Sequence, residues 1–575
     1  MAQLTPLAKG LITVTLLSVA GAAAWHLGVK DLVAKGGTSA GGGASAGGGA
    51  NAGGAAAGGG NTGGTAAGGG AAARPVAEDA SAPLGSKANP LKVSIVSFHG
   101  YAPALVANGN ALTTQPGSTY DKLGVSVSFI IQDNIPTLTE IFTSKTAHCA
   151  WRTSDFWAQE QPNLRNAGLD GRAVVIVDNT QGGDAIIAKD PAIKSVEDLA
   201  GRSIALLQFT PSHGMTIDAL DSSSLSARKK QSVRYVFINA DEGTAGVRAA
   251  FAGGQVDAAA LWDPDLSLAL KAVPGAHVVY STKTATNLIF DVMVCNKAAL
   301  DQAANEPAFQ RFVQGWLEGV KLSRQNPEIA VDALIATEDF FKQLAGDQGR
   351  DFVKTLFDNL VWTGLEDNVR ILGLAGSTNH YERVYARFDQ IYRAAGALAN
   401  PASPVIPPQD SFDYRFVKKL MAEDQAAQAA AKKPQFTFDE AEQKKVVAAK
   451  PANVTKPVAV SFKSGSSELS KRAQKTIDDE MVPLIENNGS AYFEVSGNTD
   501  ATGAKATNQR LSLARAEAVV GYLVEQWEFP RSRFKVVGNG PDKPICDEKN
   551  PGAEGLDLEA CREANRSTRL AVYGR

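Results

Sequence analysis

The sequence predicts a two-lobed α/β domain followed by a smaller unit of strands and helices, the whole set behind an apolar helix and a Gly/Ala-rich linker. Three observations carry this. The chain has 575 residues, more than one core can organise, which suggests three or four units of ~150 residues each. Composition changes sharply at about residue 36 and again near residue 90. From about Leu91 to Val417, short apolar runs then alternate with helical segments, the texture of α/β layers with largely parallel sheets.

Taken in order, the first element is GLITVTLLSVAGAAAWHLGV, residues 10–29, a stretch without a formal charge that Lys9 precedes and Lys30 follows. As a helix it would be ~30 Å long, enough to cross a bilayer. A cleaved signal peptide is the alternative, because Ala22-Ala23-Ala24 offers small residues at a suitable place. An uncleaved anchor is the favoured reading, since Trp25, Leu27 and Val29 extend the apolar run and Trp suits an interface. Either reading exports the remainder of the chain. Residues 36–73 are almost entirely Gly, Ala, Ser, Thr and Asn, a flexible coil with a root-mean-square span of ~35 Å. The segments are therefore drawn at 1–35, 36–89, 90–417, 418–455 and 456–575.

Within 90–417, Val93–Val96, Val125–Ile130, Ala173–Val177, Ser203–Leu207, Tyr235–Ile238 and Ala258–Leu261 read as strands. The block is too long for one doubly wound domain, which fits two lobes. Ligands of open α/β sheets bind beyond the carboxyl ends of strands, so five loops should converge on a cleft: 97–101, 153–155, 181–184, 210–214 and 262–264. Their candidate ligand-binding residues are His99, Tyr101, Ser154, Asp184, Thr210, Ser212, His213, Trp262 and Asp263. Two readings of the ligand's charge stand. The loop at Thr210 leads into a helix whose free N–H groups would favour an anion. Asp155, Asp184, Asp263 and Asp291 together would make the cleft acidic and favour a cation or amine. Each residue also has an ordinary structural alternative: the histidines as loop braces, Asp184 and Asp263 as helix caps, and Trp262 as core.

Residues 418–455 are rich in Ala, Lys, Gln and Glu, with Pro434 and Pro451, and read as a partly helical spacer that separates the flanking domains. Beyond it, Tyr492–Ser496 alternates like a half-buried strand and Gly497 opens a polar turn. Leu511, Ala514, Ala518, Val519 and Leu523 then repeat at helical spacing. Asp500 and Arg515 should therefore meet at the mouth of a strand-loop-helix unit. A carboxylate beside a guanidinium suits a zwitterionic ligand.

Composition excludes several function classes. A net charge of −3 with 20% charged residues has no basic signature, so nucleic acid is not an expected partner. The four cysteines show no C-x-x-C spacing, so zinc is unsupported, and no cofactor or metal is expected. Cys546 and Cys561 lie in one Pro/Gly/Asp-rich loop, where a disulfide would contribute roughly 3 kcal/mol in an oxidising compartment. Cys149 and Cys295 are read as isolated buried residues. No H-E-x-x-H, G-x-S-x-G or G-x-x-x-x-G-K-[ST] motif occurs, so the chain is read as a non-enzyme.

Two family resemblances add to this reading. Gly497-Asn498-Thr499-Asp500-Ala501-Thr502-Gly503, then Asn508, Leu511-Ser512 and Arg515-Ala516, resemble the signature of the OmpA-like peptidoglycan-binding family, with His more common than Asn at position 498. The resemblance covers about 456–575. It implies an α+β domain in which Asp500 and Arg515 hold the diaminopimelate of a peptide stem, with Thr502, Asn508 and Arg566 nearby. The stretches KVSIVSFHGYAPALVANG, DPAIKSVEDLAGRSIAL, GTAGVRAAFAGGQVDAAALWDPDL and TNLIFDVMVCN resemble the nitrate/sulfonate/taurine-type solute-binding family over about 90–400. This implies a two-lobed periplasmic-binding-protein fold that closes on a small molecule.

The leading expectation is a receptor tethered to the inner membrane of a Gram-negative bacterium by a single pass, its bulk in the periplasm. It would hold peptidoglycan at one end and a small solute in its cleft, serving an ABC permease or a sensor. The alternative is an envelope scaffold. Its layout resembles flagellar stator subunits, yet residues 10–29 lack the Asp that such a subunit uses to carry protons. Catalytic relatives of the solute-binding fold resemble a C-C-C-F-C motif that is absent here.

Overall fold

The computed structural model describes residues 79–463 and 465–575. The predicted membrane helix at 10–29 and the Gly/Ala tract at 36–73 lie outside the described residues. Among the described residues, no helix is long and apolar enough to cross a membrane.

Among the described residues, fifteen strands form three sheets. The first sheet contains β1 (Leu91–Ile95), β2 (Val127–Ile131), β3 (Cys149–Thr153), β4 (Gly171–Thr180), β10 (Phe290–Asn296) and β11 (Leu360–Trp362), in the order β11-β4-β10-β3-β1-β2. The second contains β5 (Asp184–Ala188), β6 (Ser203–Leu207), β7 (Arg234–Ile238), β8 (Ala258–Trp262) and β9 (His277–Ser281), in the order β7-β6-β8-β5-β9. The chain passes from the first sheet to the second at 181–183 and returns at 282–289, so two lobes share two crossovers. The sheets are mixed, which differs from the largely parallel arrangement expected. Strands β1, β2 and β3 run parallel, as do β6, β7 and β8, whereas β10, β4, β11, β5 and β9 join antiparallel. The return through the second crossover reverses strand direction.

The third sheet, β12 (Val454–Val458), β13 (Tyr492–Asn498), β14 (Phe534–Gly540) and β15 (Thr568–Tyr573), has the order β12-β15-β13-β14. The helix Lys505–Trp527 lies on it and buries Asn508, Ser512, Ala516, Val519, Val520 and Leu523. Two strand glycines permit that approach. A Cβ on Gly497 would sit 1.9 Å from the Ser512 carbonyl oxygen, and one on Gly538 would sit 2.6 Å from the Leu513 nitrogen. Helix and sheet meet backbone to backbone, and a side chain at either position would force them apart.

Two segments differ from expectation. Residues 79–89, assigned above to the linker, fold back as a turn: Asp79 donates its N–H to Ala88 O, and Ser126 donates to Gly85 O at 2.7 Å. The spacer is not a standoff. Its helices Gln425–Ala431 and Glu440–Ala449 bury Ala427, Ala431, Gln443 and Val447, and Gln443 Nε2 donates to Ser532 O at 2.7 Å.

The C-terminal sheet docks on the lobe built from the second sheet. Val196 N–H donates to Asn453 O, and Thr455 N–H donates to the Glu197 carboxylate at 2.8 Å. One buried apolar cluster runs without a break from Ile186 and Tyr280 to Leu484, Val495 and Leu523. Arg533 ties together the interior of the C-terminal unit behind this joint. It is buried and donates to the carbonyls of Ala491, Ile485, Asn488 and Gly489, with Phe438, Phe493 and Phe529 against its guanidinium. Burial pushes its pKa down to about 9, helped by the neighbouring Arg575 charge.

Candidate functional site

Two sites come together, one in each half of the described chain. At the end of β13, the loop carrying Asp500 turns outward. Thr502 N–H donates to Asp500 Oδ1 at 3.0 Å, and Asn508 Nδ2 reaches back to Thr502 O at 2.9 Å. The carboxylate of Asp500 pairs with Arg566 Nη1 at 2.7 Å. Arg515, which sequence spacing paired with Asp500, instead donates to Ser466 O and Lys463 O and lies over the Phe462 ring. It still feels both Asp500 and Arg566 electrostatically. Burial alone would raise the Asp500 pKa, but the bonds from Arg566 and Thr502 outweigh it and hold the carboxylate below its usual value. Burial and the Arg566 charge lower Arg515. The result is one carboxylate paired with the Arg566 guanidinium and within the electrostatic reach of a second, Arg515.

The disulfide Cys546–Cys561 supports this loop from below, as the sequence predicts. It anchors a segment in which Glu548 Oε1 accepts from Ala501 N–H at 3.0 Å and from Asn565 Nδ2 at 3.1 Å. Cys149 and Cys295, read above as isolated residues, are also joined in a disulfide. They face one another in the register of β3 and β10, a pairing that no local spacing announces because 146 positions separate them.

Between the two lobes lies a cavity of about 40 Å³, lined by Phe98, Tyr101, Trp151, Thr180, Asp184, Trp262 and Asp291, among others. Tyr101 donates its hydroxyl to Asp291 Oδ2 at 3.0 Å. Asp178, opposite Asp291 in the register of β4 and β10, is fully buried behind them. Burial pushes the carboxyls of Asp178, Asp184 and Asp291 upward, and neighbouring carboxylates add to the rise for all three. Burial also lifts Asp155 to about 6 against bonds from Thr153 and Tyr392.

The other sequence-predicted cleft residues occupy supporting positions. Ser154 accepts from Phe290 N–H. Thr210 donates to Leu207 O, while its carbonyl accepts from Tyr392. Ser212 is fully buried, its hydroxyl without a partner. His99 is buried between Phe98 and Phe357, and that desolvation lowers its pKa to about 3. His213 accepts from Phe209 N–H and packs edge-on against Tyr235 and Phe237, its pKa lowered by burial to about 4. Asp263, just ahead of the helix Asp265–Ala272 and its N-cap Pro264, accepts from Ser267 N–H in the first turn at 2.9 Å and from Asn359 Nδ2 at 2.7 Å. Its carboxylate is occupied. Phe98, Trp151 and Asp178 were not among the sequence candidates. The signal for Asp178 was an acid ending the apolar run Val174–Val177.

Residues 461–555 match the OmpA family, and residues 122–330 match the NMT1/THI5-like family. The chain joins an NMT1/THI5-like domain to a C-terminal OmpA domain. The OmpA domain is 42% identical over 67 residues to outer membrane protein Omp38 of Acinetobacter baumannii, covering 12% of this chain and 19% of that protein. It is 33% identical over 121 residues to outer membrane protein A of Serratia odorifera, covering 20% and 48%. The chain thus spans between a fifth and a half of the length of these curated relatives. Among solved structures, the NMT1/THI5-like domain is similar to the periplasmic aliphatic sulphonate binding protein SsuA from Escherichia coli, at 16% identity and a TM-score of 0.42, over 56% of this chain and 97% of that one.

Proposed function

We propose that this protein is a receptor anchored to the cell wall: the OmpA domain holds peptidoglycan, and the NMT1/THI5-like domain binds a small solute between its lobes. The observation that carries the wall-binding part is the Asp500 loop. Asp500 pairs with Arg566, and Arg515 lies within their electrostatic reach, at a loop held by the bonds of Thr502, Asn508 and Glu548. A diaminopimelate stem presents an ammonium and a carboxylate from one carbon. Asp500 would take the first, and Arg515 or Arg566 would take the second with two parallel hydrogen bonds. The two-lobed layout with a cavity at the crossovers supports solute binding. Tethering to the inner membrane through residues 10–29, periplasmic residence and delivery to a permease or sensor extend this reading.

The test is retention of the full chain on purified peptidoglycan, comparing wild type with Asp500→Ala and Arg515→Ala. We expect retention of the wild type and its loss in both variants while their circular dichroism is unchanged. A wild type that stays in solution sinks the wall anchor.

A further inference from the structure

The walls of the interlobe cavity carry a charge imbalance. Asp184 and Asp291 line it, and Asp155 and Asp178 stand close behind, all four at 3% exposure or less. No ion pair among the described residues includes any of them. Arg152, the cation on the neighbouring strand β3, is committed to Glu160, whose Oε1 accepts from its Nη2 at 2.9 Å. Four carboxyls thus converge without a counter-charge, an arrangement that costs stability unless something supplies one. A second observation points the same way. Trp151 lines the cavity, is 92% buried, and its indole Nε1 has no hydrogen-bond partner. Buried donors are ordinarily satisfied, so this one marks a place for an acceptor atom. The other walls include the rings of Phe98, Tyr101 and Trp262 beside Val96, Pro211 and Ile289, and aromatic faces favour organic cations.

Resting on the reading of the cleft as a solute site, we propose that the cavity binds the ammonium group of a small organic amine. Asp184 and Asp291 supply the counter-charge, the rings enclose its methylene or methyl groups, and Trp151 Nε1 donates to an acceptor on the same solute. A volume of about 40 Å³ holds one ammonium-sized group, with the rest of the solute admitted as the lobes part. An anionic solute would meet carboxyl groups and no Lys, Arg or His in the cavity lining.

Isothermal titration of the full chain at pH 8 with ethanolamine, choline and putrescine, and with ethanesulfonate as the anionic counterpart, tests this. We expect saturable binding of at least one amine and none of ethanesulfonate. Asp184→Asn and Asp291→Asn should each weaken the amine at least tenfold. Their ligand-free melting temperatures should not fall, which separates lost binding from lost folding. Trp151→Phe keeps a ring but loses the N–H, so it should weaken the hydroxyl-bearing amines and spare putrescine. Binding of ethanesulfonate without any amine overturns the proposed ligand class and leaves the receptor reading standing. Binding of none of the four overturns the proposal together with the solute part of that reading.

Discussion

Asn287, in the crossover that returns the chain from the second sheet to the first, donates its backbone N–H to the carbonyl of Asn487 in the OmpA domain at 2.9 Å. Its side chain donates to Glu486 O at 2.8 Å. Nearby, Ser490 donates to Lys283 O, and Tyr280 donates to Asn488. The strap between the two lobes is therefore held by the domain assigned to the wall.

Because one apolar cluster spans this joint, the second lobe and the OmpA domain should unfold together. Calorimetry of the full chain should show no separate early transition for residues 456–575. Asn287→Ala leaves the Glu486 carbonyl short of a donor and should cost about 1–2 kcal/mol. An independent low-temperature melt of the C-terminal part would contradict this coupling.

Replacing both Cys546 and Cys561 by Ser should destabilise the OmpA domain by roughly 3 kcal/mol, from the loop they close. Peptidoglycan retention should weaken as well, since Glu548 no longer holds Ala501 in place. Denaturant titration gives the first quantity and wall sedimentation the second. Unchanged retention would show that the Asp500 loop stands without this support.

Gly497→Ala should cost at least about 2 kcal/mol, because the new methyl meets the Ser512 carbonyl rather than a side chain that can move aside. Gly521→Ala, on the helix that carries Ser512 and with open space around it, should be neutral or slightly stabilising. Urea midpoints of the two variants provide the comparison, and equal midpoints would count against the close packing.

The stability contributed by Asp155 and Asp263 should fall with rising pH between about 4 and 6. Asp155 and Asp263 have folded pKa values raised to about 6 from 3.8, so the folded state binds protons more tightly than the unfolded chain. The stability this gives is fully present below 3.8 and is lost as pH rises through about 6. Asp155→Asn keeps an acceptor for Tyr392 and removes the titration. Its melting temperature should therefore gain on wild type across that interval and run parallel above it. A constant difference from pH 4 to 7 would refute the assignment.

Much of the architecture was legible where local chemistry is self-sufficient. Apolar runs such as Ala173–Val177 and Ala258–Leu261 announced β4 and β8, and the cysteine loop announced its own bridge. What escaped was set at long range. The Cys149–Cys295 bridge depends on β10 returning beside β3. Arg566, 66 positions from Asp500, took the ion pair that helical spacing suggested for Arg515. The buried stripe of the helix Lys505–Trp527 begins with Asn508, Ser512 and Ala516. Hydrophobicity alone placed it on Leu511 and Ala514. Glycines in the strands beneath demand small residues there, and that requirement is invisible in one helix read by itself.

The segment 418–455, packed instead of extended, has a bearing on geometry. A flexible spacer would let the mouth of the cavity point anywhere relative to the Asp500 loop. The hydrogen bonds of Asn453, Thr455 and Asn287 instead give the two sites one mutual orientation. On the proposed reading, whatever Asp500 grips becomes a reference frame, and the mouth of the cavity keeps a fixed heading relative to that surface.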